Sequence, residues 1–306
     1  MSRRMARLER RVKKMTIIKA VMVLCLAVLA LGFIYQLGVN TRSTISKLGQ
    51  DIKAVEYGVL EDKLRGKAIV LRKEEVVLAE SEGHFENMLK EKERTPKGSL
   101  LGYYMNSQGK TPLRAAVSGI FTCNTDGLEE VFRDVNLQSI TPEVFKYKTT
   151  HKIEGQPTQA GQAVYKIVDS LHPTRLLVHL PLDEINFDVE VKQKVNIYFE
   201  GKDLGKAEII EMKKDFGELL IIIEFDGFRE DLLSQRYIEI EVVFDSQEGY
   251  IIPEKALIER EGKKGIYCLN GEDITFKPVN VIKTKDGMLI VKGLNENDML
   301  LTNPSD

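Results

Sequence analysis

AESEGHF, from Ala79 to Phe85, is answered 36 residues later by AAVSGIF, from Ala115 to Phe121. A second pair keeps the same order: TPKGSLL (Thr95–Leu101) and TQAGQAV (Thr158–Val164), 63 residues apart. Each half reads as strand, glycine bend, strand, glycine turn, strand. Gly83 and Gly119 suit a tight bend between strands, and Gly98 and Gly161 suit the turn that follows. Two such halves bury their apolar faces only against each other, which predicts a small flattened β-sandwich. The growth in offset puts about 27 extra residues, 124–150, in the second half. There Thr141-Pro142-Glu143 reads as a helix start, with Thr141 as N-cap, and Asp126–Arg133 as another short helix. An insertion on a compact sandwich is exposed by default, as a recognition surface or as a tolerated loop.

The β texture continues downstream. Val189, Val191, Val195, Ile197 and Phe199 alternate with polar residues, as do Ile238, Ile240, Val242 and Phe244. That period of two places one face on a core and the other in water. Leu219–Ile223 is continuously apolar, as in a strand covered on both sides. Asn270-Gly271 and Asp286-Gly287 each separate two short apolar runs and predict tight hairpins, because type I′ turns need positive φ at both central positions.

Upstream the character changes. Residues 1–19 carry eight basic side chains against Glu9, a local charge of +7, leaving −9 on the rest of a chain whose net charge is −2. From Ala20 to Tyr35 nothing is polar beyond the tyrosine hydroxyl. With Ile17, Ile18, Leu37 and Val39 the apolar span reaches about 20 residues, enough to cross a bilayer. A basic head before such a segment predicts a cytoplasmic N-terminus and an extracytoplasmic body. It argues against a nucleic-acid-binding arm. A cleaved signal peptide is disfavoured because bulky Phe33, Ile34 and Tyr35 stand where small residues should precede cleavage. Cys25 follows Leu24 and lacks a lipoprotein context. Ile45, Leu48, Ile52, Val55 and Val59 recur at heptad spacing and predict a helical stalk, either packed on its own body or paired as a coiled coil.

With these stretches in place, the chain resembles the HlyD-type membrane-fusion, or periplasmic-adaptor, family over residues 68–304. AESEGHF and AAVSGIF match its two lipoyl-like halves, and IEGQPTQAGQAVYKIVDS closes the second. FDVEVKQKVNIYF resembles its β-barrel module. EGYIIPEKALIEREGKKGIYCLNG and VKGLNENDMLLTNP resemble the opening and close of its membrane-proximal module. The resemblance implies a mostly β protein: transmembrane helix, lipoyl-like barrel-sandwich hybrid, β-barrel, membrane-proximal β-domain. Many members carry a long α-helical hairpin between the lipoyl-like halves. Here Met105–Thr111 (MNSQGKT) is too short for two helices, so the resemblance is to the hairpinless form. Docking to an outer-membrane channel by a hairpin is not expected.

The boundaries follow: basic cytoplasmic tail 1–16, transmembrane helix 17–39, helical stalk 40–66, sandwich 67–170 with its insertion at 124–150, barrel 171–247, membrane-proximal domain 248–306. His84, His151, His172 and His179 are scattered without cysteines or paired carboxylates at metal-ligand spacing. No nucleophile elbow or phosphate loop occurs. Lys110 lies where carrier domains place their modified lysine, but Gly109-Lys110-Thr111 lacks the carrier surround, so no cofactor is expected. Cys123 and Cys268 are expected as buried thiols. The expectation is a non-enzymatic adaptor subunit of an export transporter, single-pass in the cytoplasmic membrane. Its partners are the transporter and membrane lipid, with homo-oligomerisation left open and no nucleic acid. The alternative is a scaffold for envelope assembly or cell division.

Overall fold

The computed structural model describes residues 52–150, 156–215, 217–271 and 273–304. The expected tail, transmembrane helix and first part of the stalk fall in 1–51, outside the described residues. Among the described residues no helix is long and apolar enough to cross a membrane. The chain forms two compact units, one of residues up to Leu60 with Gln247–Asp306 and one of Glu61–Ser246.

The described part opens with strands β1 (Ile52–Ala54) and β2 (Glu56–Leu71). This corrects the expectation of a helical stalk through residue 66. The heptad at Ile52, Val55 and Val59 coexists with a period-two pattern at Leu60, Leu64, Ala68 and Val70, and the second wins because it buries more. Leu64, Ala68 and Val70 are buried in a core, whereas Val59 is half exposed. Gly66 does not end an element. It lies inside β2, where a Cβ would stand 2.8 Å from the His179 carbonyl oxygen.

The sandwich follows with β3 (Glu74–Leu78), β4 (Gly83–Asn87), β5 (Arg94–Thr95), β6 (Leu100–Asn106), β7 (Gly109–Arg114), β8 (Gly119–Thr122) and β9 (Ala163–Val168). They form a four-stranded sheet, β3-β9-β8-β5, and a three-stranded sheet, β4-β6-β7. Phe85 and Phe121, equivalent in the two repeats, meet in the core with ring centroids 6.3 Å apart. Tyr165 packs on both, at 5.4 and 5.8 Å, and donates its hydroxyl to the Arg114 carbonyl at 3.1 Å. Burial pushes its phenol up to about 12. MNSQGKT makes the tight β6–β7 turn, with Asn106 paired to Gly109. Lys110 is exposed there, 3.3 Å from Glu86 and 4.1 Å from the Tyr103 ring centre.

The barrel uses β10 (Arg175–Pro181), β11 (Lys194–Phe199), β12 (Lys202–Asp215), β13 (Glu218–Phe225) and the start of β14 (Tyr237–Pro253), together with β2. The order β11-β12-β13-β10-β2 is closed by β14, hydrogen-bonded to both β2 and β11. Leu176, Val178, Leu219, Ile221, Ile223 and Val242 fill its interior. Leu177, Leu220 and Ile222 point the other way and are buried too, which explains the unbroken apolar run at 219–223. The alternation expected from Val189 does not hold before Lys194. Val191 is 46% exposed, and Lys192 takes φ 72 in a turn that binds the Ile209 carbonyl.

In the other unit β1, β20 (Met299–Leu301), β16 (Lys263–Asn270) and β15 (Ile258–Arg260) form a sheet, with β17 (Asp273–Pro278) added on β16. The end of β14 pairs with β19 (Met288–Lys292), which pairs with β18 (Asn280–Lys285). Val55, Ile252, Ile266, Leu289, Val291 and Leu300 form its core. Asp286 and Gly287 both take positive φ, 49 and 73, as a type I′ turn requires. Cys123 and Cys268 are both buried, as expected.

Candidate functional site

The four glycines singled out in the sequence fall into two kinds. Gly83 pairs with Thr158 of the other half, and Gly119 with Thr95. A Cβ on either would stand 2.3 Å from a carbonyl oxygen, that of Met105 or of Val168. Gly98 and Gly161 take φ 85 and 82 and donate their amides, each at 2.8 Å, to the carbonyls of Ala115 and Ala79. Each repeat thus supplies backbone hydrogen-bond partners to the glycines of the other.

The chemistry of the described residues is concentrated where sandwich and barrel join. Leu71 ends β2 in the barrel, Arg72 and Lys73 cross, and Glu74 opens β3 in the sandwich. The return crossing runs beside it, the Asp169 amide donating to the Lys73 carbonyl at 2.9 Å. The insertion makes a third connection. Its Leu128, Phe132, Leu137 and Val144 pack on Ile69, Leu71, Leu177, Leu220 and Ile222, the outer face of the barrel. Lys213 Nζ donates to the Ile140 carbonyl at 2.9 Å, and the Tyr237 hydroxyl to that of Val144 at 3.0 Å. The expectation of an exposed segment is therefore corrected: the barrel leaves an apolar outer face that the insertion covers. Pro142–Lys146 is a short 3-10 turn, and Asp126–Arg133 forms turns without a helix.

Six charged side chains are buried at this junction: Arg72, Glu74, Asp126, Glu129, Lys166 and Arg236. Three are cations and three are carboxylates. Glu74 receives Arg72 Nε at 3.0 Å and Lys166 Nζ at 3.1 Å, and also binds Arg236. Asp126 lies 2.9 Å from Arg236 and 3.5 Å from Lys166, and accepts the Leu128 amide at 3.0 Å. Glu129 binds Lys166 at 3.1 Å and accepts the Asp126 amide at 2.7 Å. Arg72 Nη1 donates to the Leu232 and Leu233 carbonyls at 2.7 and 2.6 Å, and Arg236 Nη1 to Val70 at 2.9 Å. One network therefore ties β2, β3, β9, the insertion and the approach to β14.

Burial alone would push the carboxyls of Glu74 and Asp126 up. The cations outweigh it, Arg72, Lys166 and Arg236 for Glu74 and Arg236 then Lys166 for Asp126, and hold both below their ordinary values. Burial draws Arg72 down against Glu74, whereas for Arg236 the Glu74 and Asp126 charges overcome burial and raise it. A buried balanced network of this kind fixes orientation more surely than it adds net stability, because its charges all find partners in only one arrangement and an unpaired buried charge is costly in any other.

None of the six was singled out from sequence. Lys166 carried a local signal, a lone cation inside the buried strand AVYKIV. The others sit in polar stretches, and their partners lie up to 166 residues away. Of the histidines, His172 pairs with Asp169 at 2.8 Å and His179 with Glu218 at 2.6 Å. Among the described residues no group of histidine, cysteine and carboxylates is placed to hold a metal ion.

Comparison with known proteins agrees with this architecture. Residues 74–169 match the family model for the RND-related barrel-sandwich hybrid domain, and residues 179–246 that for the RND-related β-barrel domain. No curated protein matches the chain. Among solved structures, ZneB from Cupriavidus metallidurans is 9% identical with a TM-score of 0.38, covering 83% of this chain and 92% of its own. MacA from Actinobacillus actinomycetemcomitans is 11% identical, TM-score 0.38, covering 82% and 99%. The membrane fusion protein Spr0693 from Streptococcus pneumoniae R6 is 13% identical, TM-score 0.33, covering 61% and 100%. The two family matches are consecutive and take in more than half of the 306 residues. The chain thus carries an RND-related barrel-sandwich hybrid domain followed by an RND-related β-barrel domain, two of the modules that its resemblance to the HlyD-type family implies.

Proposed function

We propose that the protein is a non-catalytic adaptor, a membrane fusion protein subunit of an export transporter, anchored in the cytoplasmic membrane by residues 17–39 with its body on the extracytoplasmic side. The observation that carries this reading is the junction. A sandwich and a barrel of the adaptor type are fastened by a buried charge network and by an insertion that covers one face of the barrel, an arrangement suited to transmitting position and not to turning over substrate. The apolar span behind a +7 head supplies the anchor. The tight β6–β7 turn stands where a long α-hairpin would be, so contact with further partners falls to the β-domains themselves.

Affinity purification of the full chain from its native membrane in mild detergent tests the reading. Recovery of an integral-membrane transporter subunit is expected. Recovery of envelope-assembly or division proteins with no transporter would overturn it in favour of a scaffold.

A further inference from the structure

A cleft of about 490 Å³ opens where the sandwich, the insertion and the barrel meet, a volume in the range of small-molecule sites. Its floor is apolar, with Leu71, Phe132, Ile167 and Ile222 each at most 7% exposed. The arginines and lysine that line it are committed to carboxylates. Arg72 lies 3.0 Å from Glu74, Lys73 3.9 Å from Asp169, Arg133 2.5 Å from Glu130 and Arg175 2.6 Å from Glu224.

Two lining carboxylates have no such partner. Asp134 and Glu211 are exposed and make no side-chain hydrogen bond or ion pair among the described residues. Glu211 owes its place to a β-bulge. Ile209 pairs with Ile223, yet Glu211 pairs with Ile222, leaving Ile210 as the extra residue. In an unbroken strand the two-residue period of Ala207 and Ile209 would carry residue 211 into the barrel. The bulge turns it instead onto the face of Ile222, which is the cleft floor.

We propose that this cleft binds a small amphipathic cation, an organic ammonium with an aromatic or branched apolar body. The body lies on the Phe132–Ile167–Ile222 floor and the charge rests against Asp134 and Glu211. An anion of the same shape is disfavoured twice: it meets two uncompensated carboxylates, and every guanidinium it would seek is already paired. Because the floor belongs to three segments at once, an occupant touches the sandwich, the insertion and the barrel together.

The test is a titration of the full chain in detergent with benzyltriethylammonium, followed by ligand-observed NMR. Benzenesulfonate serves as the oppositely charged comparison and a protein-free micelle as the blank. Saturable binding is expected, at least tenfold tighter for the cation and weakened at least tenfold in the double variant D134N/E211Q. Both replaced side chains are exposed and unpartnered, so the variant should keep the wild-type unfolding midpoint, checked by circular dichroism. Absence of saturable binding, equal affinity for the two probes, or unchanged affinity in the variant would each overturn the proposal. None of these outcomes bears on transporter co-purification, which tests the adaptor reading separately.

Discussion

Gly119 and Gly98 are required for different reasons, and substitution separates them. A Cβ at 119 would stand 2.3 Å from the Val168 carbonyl oxygen, so Gly119→Ala must pry β8 from β9. Gly98 has open space around it but a φ of 85, so Gly98→Ala meets only the left-handed backbone penalty. Urea unfolding should show a loss of about 1–2 kcal/mol for Gly98→Ala and a larger loss, about 3 kcal/mol, for Gly119→Ala. The reverse order would refute the packing argument. Charged residues divide in the same way. Arg236→Ala leaves Glu74 and Asp126 buried without a main partner and should cost about 3–5 kcal/mol. Lys146→Ala removes an exposed pair with Glu143 and should cost less than about 0.5 kcal/mol by the same measurement.

At the scale of elements, the insertion 124–150 works as a fastener. Phe132→Ala should lower stability by about 3–5 kcal/mol and raise amide exchange at Ile69 and Leu71, against which it packs. Unchanged exchange there would mean that the insertion rides on the barrel without holding it. The sequence reading of elements succeeded where a signal was local. Ile238, Ile240, Val242 and Phe244 alternate and are all buried, and Asp286-Gly287 closes the hairpin it predicts. It failed where two regularities overlapped. Ile52, Val55 and Val59 satisfy a heptad, but Ile52 lies in β1, Val59 in β2 and Val55 between them, and the buried positions farther along β2 are Leu64, Ala68 and Val70. It also missed the charge network, since nothing in the neighbourhood of Arg236 or Asp126 reveals that each will be buried against residues far along the chain. The role of the insertion was hidden for the same reason: Leu128, Phe132 and Leu137 look like a loop's stray apolar residues until the outer face of the barrel is known.

For the molecule as a whole, the network makes a prediction about acid. Glu74 and Asp126 have depressed carboxyl pKa values in the folded state, so the stability they confer is present above the ordinary carboxylate range. It is lost as pH falls through their folded values and the three cations lose their counter-charges. Stability should therefore decline below about pH 4.5, and the decline should be shallower in Glu74→Gln, where one of the two groups no longer titrates. Equal slopes in the two proteins, from urea midpoints between pH 3 and 7, would remove Glu74 from the account.

The adaptor reading depends above all on which side of the membrane the sandwich and barrel occupy. Protease added outside intact spheroplasts, with fragments mapped by mass spectrometry, decides it. The account predicts that peptides from residues 60–306 are released while the arginine-rich head 1–16 survives. Survival of the body together with loss of the head would contradict it.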